Sequence, residues 1–176
     1  METLETKRLL LRPFTEYDVE DTYAYSRDPR VGPSAGWQPH RTIQESLEVI
    51  RSVFSQPNIF AVVDKRTGRV IGSAGYVGRS RGTIHGENDE IGYALSPDYW
   101  GQGLIPEAVE RLLRYGFEDL GLAVIWCNHY EGNEKSRRVI EKCGFHFQGK
   151  ETEWVEAMAE NRTVCLYAMA RKEWAR

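Results

Sequence analysis

The chain has 176 residues, 41% hydrophobic and 28% charged, the balance of one water-soluble domain large enough to bury a core without staples. A formal net charge of −3 argues against the broad basic surface of a duplex-binding protein. The acidic start is unlike a secretory signal, and no apolar run reaches bilayer-spanning length.

Cys127, Cys143 and Cys165 lack C-x-x-C spacing, and His40, His85, His129 and His146 are scattered. Neither a disulfide framework nor a metal site is expected. The expectation is a cytoplasmic single domain over residues 1–176, monomer or homodimer, without nucleic-acid or membrane partners.

In chain order, residues 4–12 read as a first strand, with Leu9 and Leu11 on one face. Thr15-Glu-Tyr-Asp18 resembles a capping box and opens a helix to about Asp28. Pro29, Gly32, Pro33 and Gly36 mark a loop that also holds Trp37, a packing aromatic or a lining of the acceptor pocket. Thr42-Ile-Gln-Glu45 starts a second helix with an apolar stripe of Ile43, Leu47, Ile50 and Phe54.

Residues 59–63 and 70–78, joined by Asp64-Lys-Arg-Thr-Gly68, predict a hairpin, and residues 87–95 a further strand. A helical stripe runs from Ile105 to Leu120 and stops at Gly121. Residues 123–127 suit a buried strand, in which Cys127 is an inert apolar cysteine. Asn133 caps a helix that ends at Gly144, and residues 145–154 and 163–170 close the chain as strands. The order predicts a mixed α/β fold with a largely antiparallel central sheet flanked by helices.

Residues 90–108 carry the clearest chemistry: a strand ending near Leu95, a tight loop with Gly101 and Gly103, and a long amphipathic helix. Glycines let backbone N–H groups approach an anion, and the helix N-terminus adds partial positive charge, so the segment reads as a phosphate cradle. It is not a Walker A loop, because Leu104-Ile105 follows the second glycine, and Pro106 stands where a dinucleotide fingerprint needs its third.

Asp98-Tyr-Trp-Gly101-Gln-Gly103, with Asp in place of the usual leading Gln/Arg, resembles the pyrophosphate signature of the GNAT acetyltransferase superfamily. Glu90-Ile-Gly-Tyr before it, and Asn133-Glu-Lys-Ser136 followed by Glu141-Lys-Cys-Gly144-Phe145 after it, are similar to the RimJ/RimL-like branch of N-terminal acetyltransferases. The resemblance implies the acyl-CoA N-acyltransferase fold and acetyl transfer from acetyl-CoA to a primary amine. The implied acceptor is a protein or peptide N-terminus. The alternatives are a small amine (polyamine, aminoglycoside or amino-acid-like) and a non-catalytic acyl-CoA-binding module.

The resemblance also implies roles for particular residues. Leu95 would offer its amide to the developing oxyanion and touch the cofactor, and Trp100, Gly101, Gln102, Gly103, Leu104, Ile105, Asn128, Asn133 and Ser136 would contact CoA. Glu90 would act as base, unless it is simply a solvated carboxylate beside Glu87 and Asp89. Ser136 would protonate the leaving thiolate or only bind cofactor; the tyrosine many relatives use is replaced by Ile140. Arg137, Arg138 and Lys142 are candidates for the 3′-phosphate. Acceptor specificity is expected between the first two helices, in residues 79–88 and in the last hairpin.

Overall fold

The computed structural model describes residues 2–82 and 84–174, so position 83 of the expected specificity loop lies outside the described residues. Strands β1 (Leu4–Glu5), β2 (Leu9–Arg12), β3 (Ile59–Asp64), β4 (Val70–Tyr76), β5 (Asn88–Leu95) and β6 (Val124–Cys127) succeed one another in one sheet. Strand β6 and the short β7 (His129–Tyr130) lie end to end along one edge of β9 (Glu160–Ala170), and β8 (His146–Val155) covers its other edge. Among the described residues only β5 and β6 pair in parallel. The fold is the expected mixed, largely antiparallel sheet flanked by helices.

Helices α1 (Val19–Ser26), α2 (Gly32–Ala35) and α3 (Ile43–Ser52) precede the central strands, α4 (Leu104–Arg114) follows β5, α5 (Glu134–Lys142) follows β7, and α6 (Arg171–Trp174) ends the described chain. The period-2 alternation of β4 and β5 sorts their side chains onto two faces. Tyr76, Ala74, Ile91 and Leu95 join Ala108, Val109, Leu112 and Leu113 of α4 in the larger core. Tyr25, Val31, Ala61, Val63 and Val70 form a smaller core that includes α1. Helix α4 runs into a π-helical turn, Tyr115–Asp119. There Gly116 leaves room for Tyr76, whose hydroxyl donates to the Leu112 carbonyl at 2.8 Å; a Cβ on Gly116 would stand 2.0 Å from that oxygen.

Several elements differ from expectation. The first strand is a hairpin, Leu4 pairing Leu11, because Thr6 folds the chain back by accepting from the Leu9 amide at 2.9 Å. Helix α2 fills part of the expected loop and ends on Gly36 at φ +89°. In α3 the buried residues are Ser46 and Ile50, while Ile43 is exposed; Ser46 turns inward to meet His40 Nδ1 at 2.8 Å. Phe54 lies beyond α3 and stacks on Phe14.

Candidate active site

Strand β5 is longer than its parallel partner. Pairing with β6 runs from Asn88 opposite Val124 to Ile91 opposite Cys127 and stops, while pairing with β4 continues to Leu95 opposite Gly72. On the β6 side the sheet opens beside Gly92–Leu95. Glu90 O accepts from Val77 and Ser96 N donates to Ile71, both next to β4. By alternation the amides of Tyr93 and Leu95 face the gap.

Asn128 shows how β6 lets go. Its Oδ1 accepts from the Tyr167 amide at 2.9 Å, a bond a backbone carbonyl would make in an unbroken ladder. Among the described residues its Nδ2 is buried without a partner, a donor that costs free energy unless something in the cleft accepts from it.

A cleft of about 1510 Å³ occupies this opening, lined by Tyr93, Leu95, Trp100, Gly101, Gly103 and Leu104 from β5 and the loop, and by Asn128, Asn133, Ser136 and Arg138 opposite. Gly101 and Gly103 have φ of +73° and +74°, values that L side chains rarely adopt. No side chain caps α4, whereas Thr42 Oγ1 caps α3 and Asn133 Oδ1 caps α5 through the Ser136 amide at 3.2 Å. The first-turn amides of α4 therefore await an acceptor from outside the helix.

Arg8 braces the loop from behind. It donates to the Gln102 carbonyl at 2.8 Å and pairs with Glu107 at 2.6 Å, and its Nη2 would lie 3.6 Å from a Cβ on Gly103. A cation thus stands beside the loop although the motif position, Asp98, is acidic. The Gln102 side chain is occupied with the Asp98 carbonyl. Trp100 locks the loop to β5 by donating Nε1–H to the Leu95 carbonyl at 2.9 Å, with Lys135 Nζ 3.7 Å from its ring centroid.

The basic residues of α5 divide by helix face. Arg137 is tied to Glu134 at 3.2 Å and Glu141 at 3.0 Å and does not line the cleft. Arg138 and Lys142, one turn apart, line it and make no ion pair among the described residues. An uncapped helix start, an orphan amide in the gap and unpaired cations along one wall fit the pyrophosphate, the amide-bearing arm and the terminal phosphate of an acyl-CoA.

Ser136 faces the same space, its Oγ 2.7 Å from the Tyr93 hydroxyl. Burial keeps the Tyr93 phenol well above its ordinary range, with the Ser136 hydrogen bond working against that shift, so Tyr93 is a protonated donor at any physiological pH. The motif reading took Tyr93 as part of a signature and gave it no role. Its hydroxyl meets Ser136 across the gap, a relation that only the sheet's geometry reveals. Cys127 is buried with its thiol pushed far up by that burial, inert as expected.

On the opposite face of β5, Glu90 is largely buried and pairs with Arg81, Nε to Oε2 at 3.0 Å; Arg81 also holds Glu151 at 3.1 Å. Among the described residues Oε1 has no hydrogen-bond partner, which leaves it for a water or a substrate. Trp37 packs on the smaller core and also lines the cleft.

The profile of the acetyltransferase (GNAT) domain family matches residues 8–146. An uncharacterised N-acetyltransferase, p20 of Bacillus licheniformis, is 30% identical over 182 residues, spanning 99% of each chain. The [ribosomal protein uS5]-alanine N-acetyltransferase of Escherichia coli is 24% identical, with 97% of this chain and 92% of that one covered. Among solved structures, a GNAT-family acetyltransferase from Bacillus anthracis superposes with a TM-score of 0.84 at 24% identity, over 98% of this chain and 100% of that one.

Proposed function

The chain belongs to the GNAT acetyltransferase family and is an N-acetyltransferase; we propose that its acceptor is the α-amino group of a peptide or protein N-terminus, as in the RimJ/RimL-like branch. The observation that carries the chemistry is the gap beside Gly92–Leu95, flanked by an uncapped α4 on one side and Glu90 on the other.

Acetyl-CoA supplies the activated acetyl group. The amides of Gly103, Leu104 and Ile105 hold its pyrophosphate, Asn128 Nδ2 donates to the arm, and Arg138 and Lys142 face the terminal phosphate. Asn133 acts indirectly, fixing the first turn of α5.

Glu90 and Leu95 are five residues apart on one strand, about 17 Å at 3.4 Å per residue. One water cannot join Glu90 to chemistry at Leu95. The Tyr93 amide faces the same gap about 7 Å nearer to Glu90. We therefore assign Tyr93 N–H to the charge developing on the thioester oxygen and Leu95 N–H to the arm. Glu90 Oε1 takes the amine's proton through water. Ser136, hydrogen-bonded to the protonated Tyr93, delivers a proton toward the leaving sulfur.

The α-amine preference draws on chemistry: an α-amino group has a pKa of about 7.7–8.0, against about 10.4 for lysine, so modest base assistance suffices. It also draws on the likeness to the E. coli enzyme named for alanine N-acetylation of ribosomal protein uS5. The test is thiol release from acetyl-CoA with a panel of peptides and small amines, the acetyl position being read by mass spectrometry. Turnover with small amines alone would refute the acceptor, and no turnover with any amine would leave a binding module.

A further inference from the structure

The arginine that holds Glu90 is itself held by another strand. Arg81 donates Nε–H to Glu90 Oε2 at 3.0 Å and an Nη1 proton to Glu151 Oε2 at 3.1 Å. Glu90 lies on β5 and Glu151 on β8, and the sheet places β6 and β9 between those strands. Arg79 repeats the pattern two residues earlier. Its amide donates to Asp89 Oδ1 at 2.8 Å and its Nη1 to Glu153 Oε2 at 3.4 Å. By alternation Glu151 and Glu153 share one face of β8. The Arg81 amide donates to Asn88 Oδ1 at 2.7 Å, so three consecutive residues of β5, Asn88, Asp89 and Glu90, fasten the segment that carries both arginines.

The inner pair is not an ordinary surface contact. The Arg81 and Glu90 side chains are 10% and 13% exposed, whereas Glu151 is 50% exposed, and a pair shielded from water is screened far less than an open one. Its orientation is also unusual. The Nε–Nη2 edge of an arginine matches the two oxygens of a carboxylate, yet both nitrogens stand 3.0 Å from one oxygen, Oε2. Among the described residues Nη2 is buried and makes no hydrogen bond.

We infer that Arg81 is a positioning residue for the base, and that Glu151 of the last hairpin sets how Arg81 grips it. Arg81 fixes Glu90 through Oε2. Glu151 draws the guanidinium from its other end and keeps it from closing on both oxygens, so Oε1 stays open to the amine's proton. The hairpin thereby acts on the rate as well as on the shape of the acceptor mouth. This inference rests on Glu90 being the base but not on any class of acceptor.

The experiment measures kcat, KM and acetyl-CoA affinity at neutral pH for Arg81→Gln, Glu151→Gln and Glu90→Gln, and for the double variants that join Glu90→Gln to each of the others. The acceptor is whichever amine wild type acetylates fastest. Arg81→Gln should lower kcat by about tenfold to a hundredfold, the scale of a misplaced catalytic group, with acetyl-CoA affinity unchanged. Glu151→Gln should lower kcat less. Neither should add to the loss in the Glu90→Gln background, because a residue that works through Glu90 then has nothing left to position. Arg81→Gln leaves a largely buried carboxylate unpaired, which endangers the fold. Glu151→Gln alters only a half-exposed side chain, and its cycle with Glu90→Gln carries the test on its own. Losses that multiply in the double variants, or an unchanged kcat in both Arg81→Gln and Glu151→Gln, would overturn the inference and leave Glu90 as base. An unchanged kcat in Glu90→Gln would remove the base assignment and the inference with it.

Discussion

The Tyr93 hydroxyl and Ser136 Oγ are 2.7 Å apart, joining the strand that borders the gap to the helix on its far wall. Removing either hydroxyl breaks the contact. If the pair moves a proton to the thiolate, Ser136→Ala and Tyr93→Phe should each lower kcat, by about tenfold to a hundredfold, with acetyl-CoA affinity nearly unchanged. The double variant should be no worse than the poorer single one, since a relay fails once. Lost affinity with intact turnover would make Ser136 a cofactor contact only.

The phosphate loop can be tested without breaking its backbone. Gly103 sits at φ +74° with open space around its missing Cβ, the nearest atom being Arg8 Nη2 at 3.6 Å. Valine there would strain the chain as well as fill the cradle. Asparagine tolerates this conformation, so Gly103→Asn should fold and still lose about tenfold or more in acetyl-CoA affinity. Unchanged CoA binding by calorimetry would sink the loop assignment.

The cations of α5 give a third comparison. Arg138→Ala and Lys142→Ala should each weaken CoA binding by about threefold to tenfold, less at high salt. With dephospho-CoA the loss should vanish. Arg137→Ala, whose parent side chain is paired to Glu134 and Glu141 on another face, should bind CoA normally. Equal losses with CoA and dephospho-CoA would move the terminal phosphate elsewhere.

These contrasts mark what the sequence discloses. The glycine loop, the α4 stripe and the Asn133 cap were legible because each depends on neighbours within a few residues. The hairpin at Thr6 was not: its turn is held by Glu107, whose Oε1 accepts from the Thr6 hydroxyl at 2.6 Å and from the Arg8 amide at 2.8 Å, about a hundred positions away. The Arg8 brace and the Tyr93 hydroxyl beside Ser136 escaped for the same reason. Each arises where distant segments meet across the sheet, and no local period or spacing encodes it. Glu90 was singled out by its strand position, but its partner Arg81 sits in a loop without a pattern.

Glu107 predicts a pH dependence. Burial opposes its ionisation, but bonds from the Thr6 hydroxyl, the Arg8 amide and the Arg8 guanidinium outweigh that and hold the carboxyl below its ordinary value. A carboxyl with a depressed folded-state pKa contributes stability above its unfolded value, about 4.3, and loses it as pH falls through the folded one. Glu107→Gln should therefore cost about 1–2 kcal/mol at neutral pH, the gap to wild type closing below about pH 4. A difference constant from pH 7 to pH 3 in denaturant titrations would show that charge is not what holds the turn.

Acceptor and base are best tested together. Glu90 Oε2 is engaged by Arg81, so proton transfer falls to Oε1 through water, a modest assistance. Near neutral pH a sizeable fraction of an α-amine with a pKa of about 7.7–8.0 is already neutral, whereas lysine at about 10.4 is almost wholly protonated. Glu90→Gln should then slow acetylation by roughly tenfold to a hundredfold below the amine's pKa. Raising the pH should recover much of that loss, because the amine no longer arrives with a proton to shed. A peptide with a blocked N-terminus and a free lysine should be a poor acceptor at neutral pH for wild type and variant alike. If Glu90 only anchors Arg81, Glu90→Gln should shift stability and leave the pH–rate profile in place. Acetyl found on lysine in a peptide that offers both amines would reverse the acceptor assignment whatever Glu90 does.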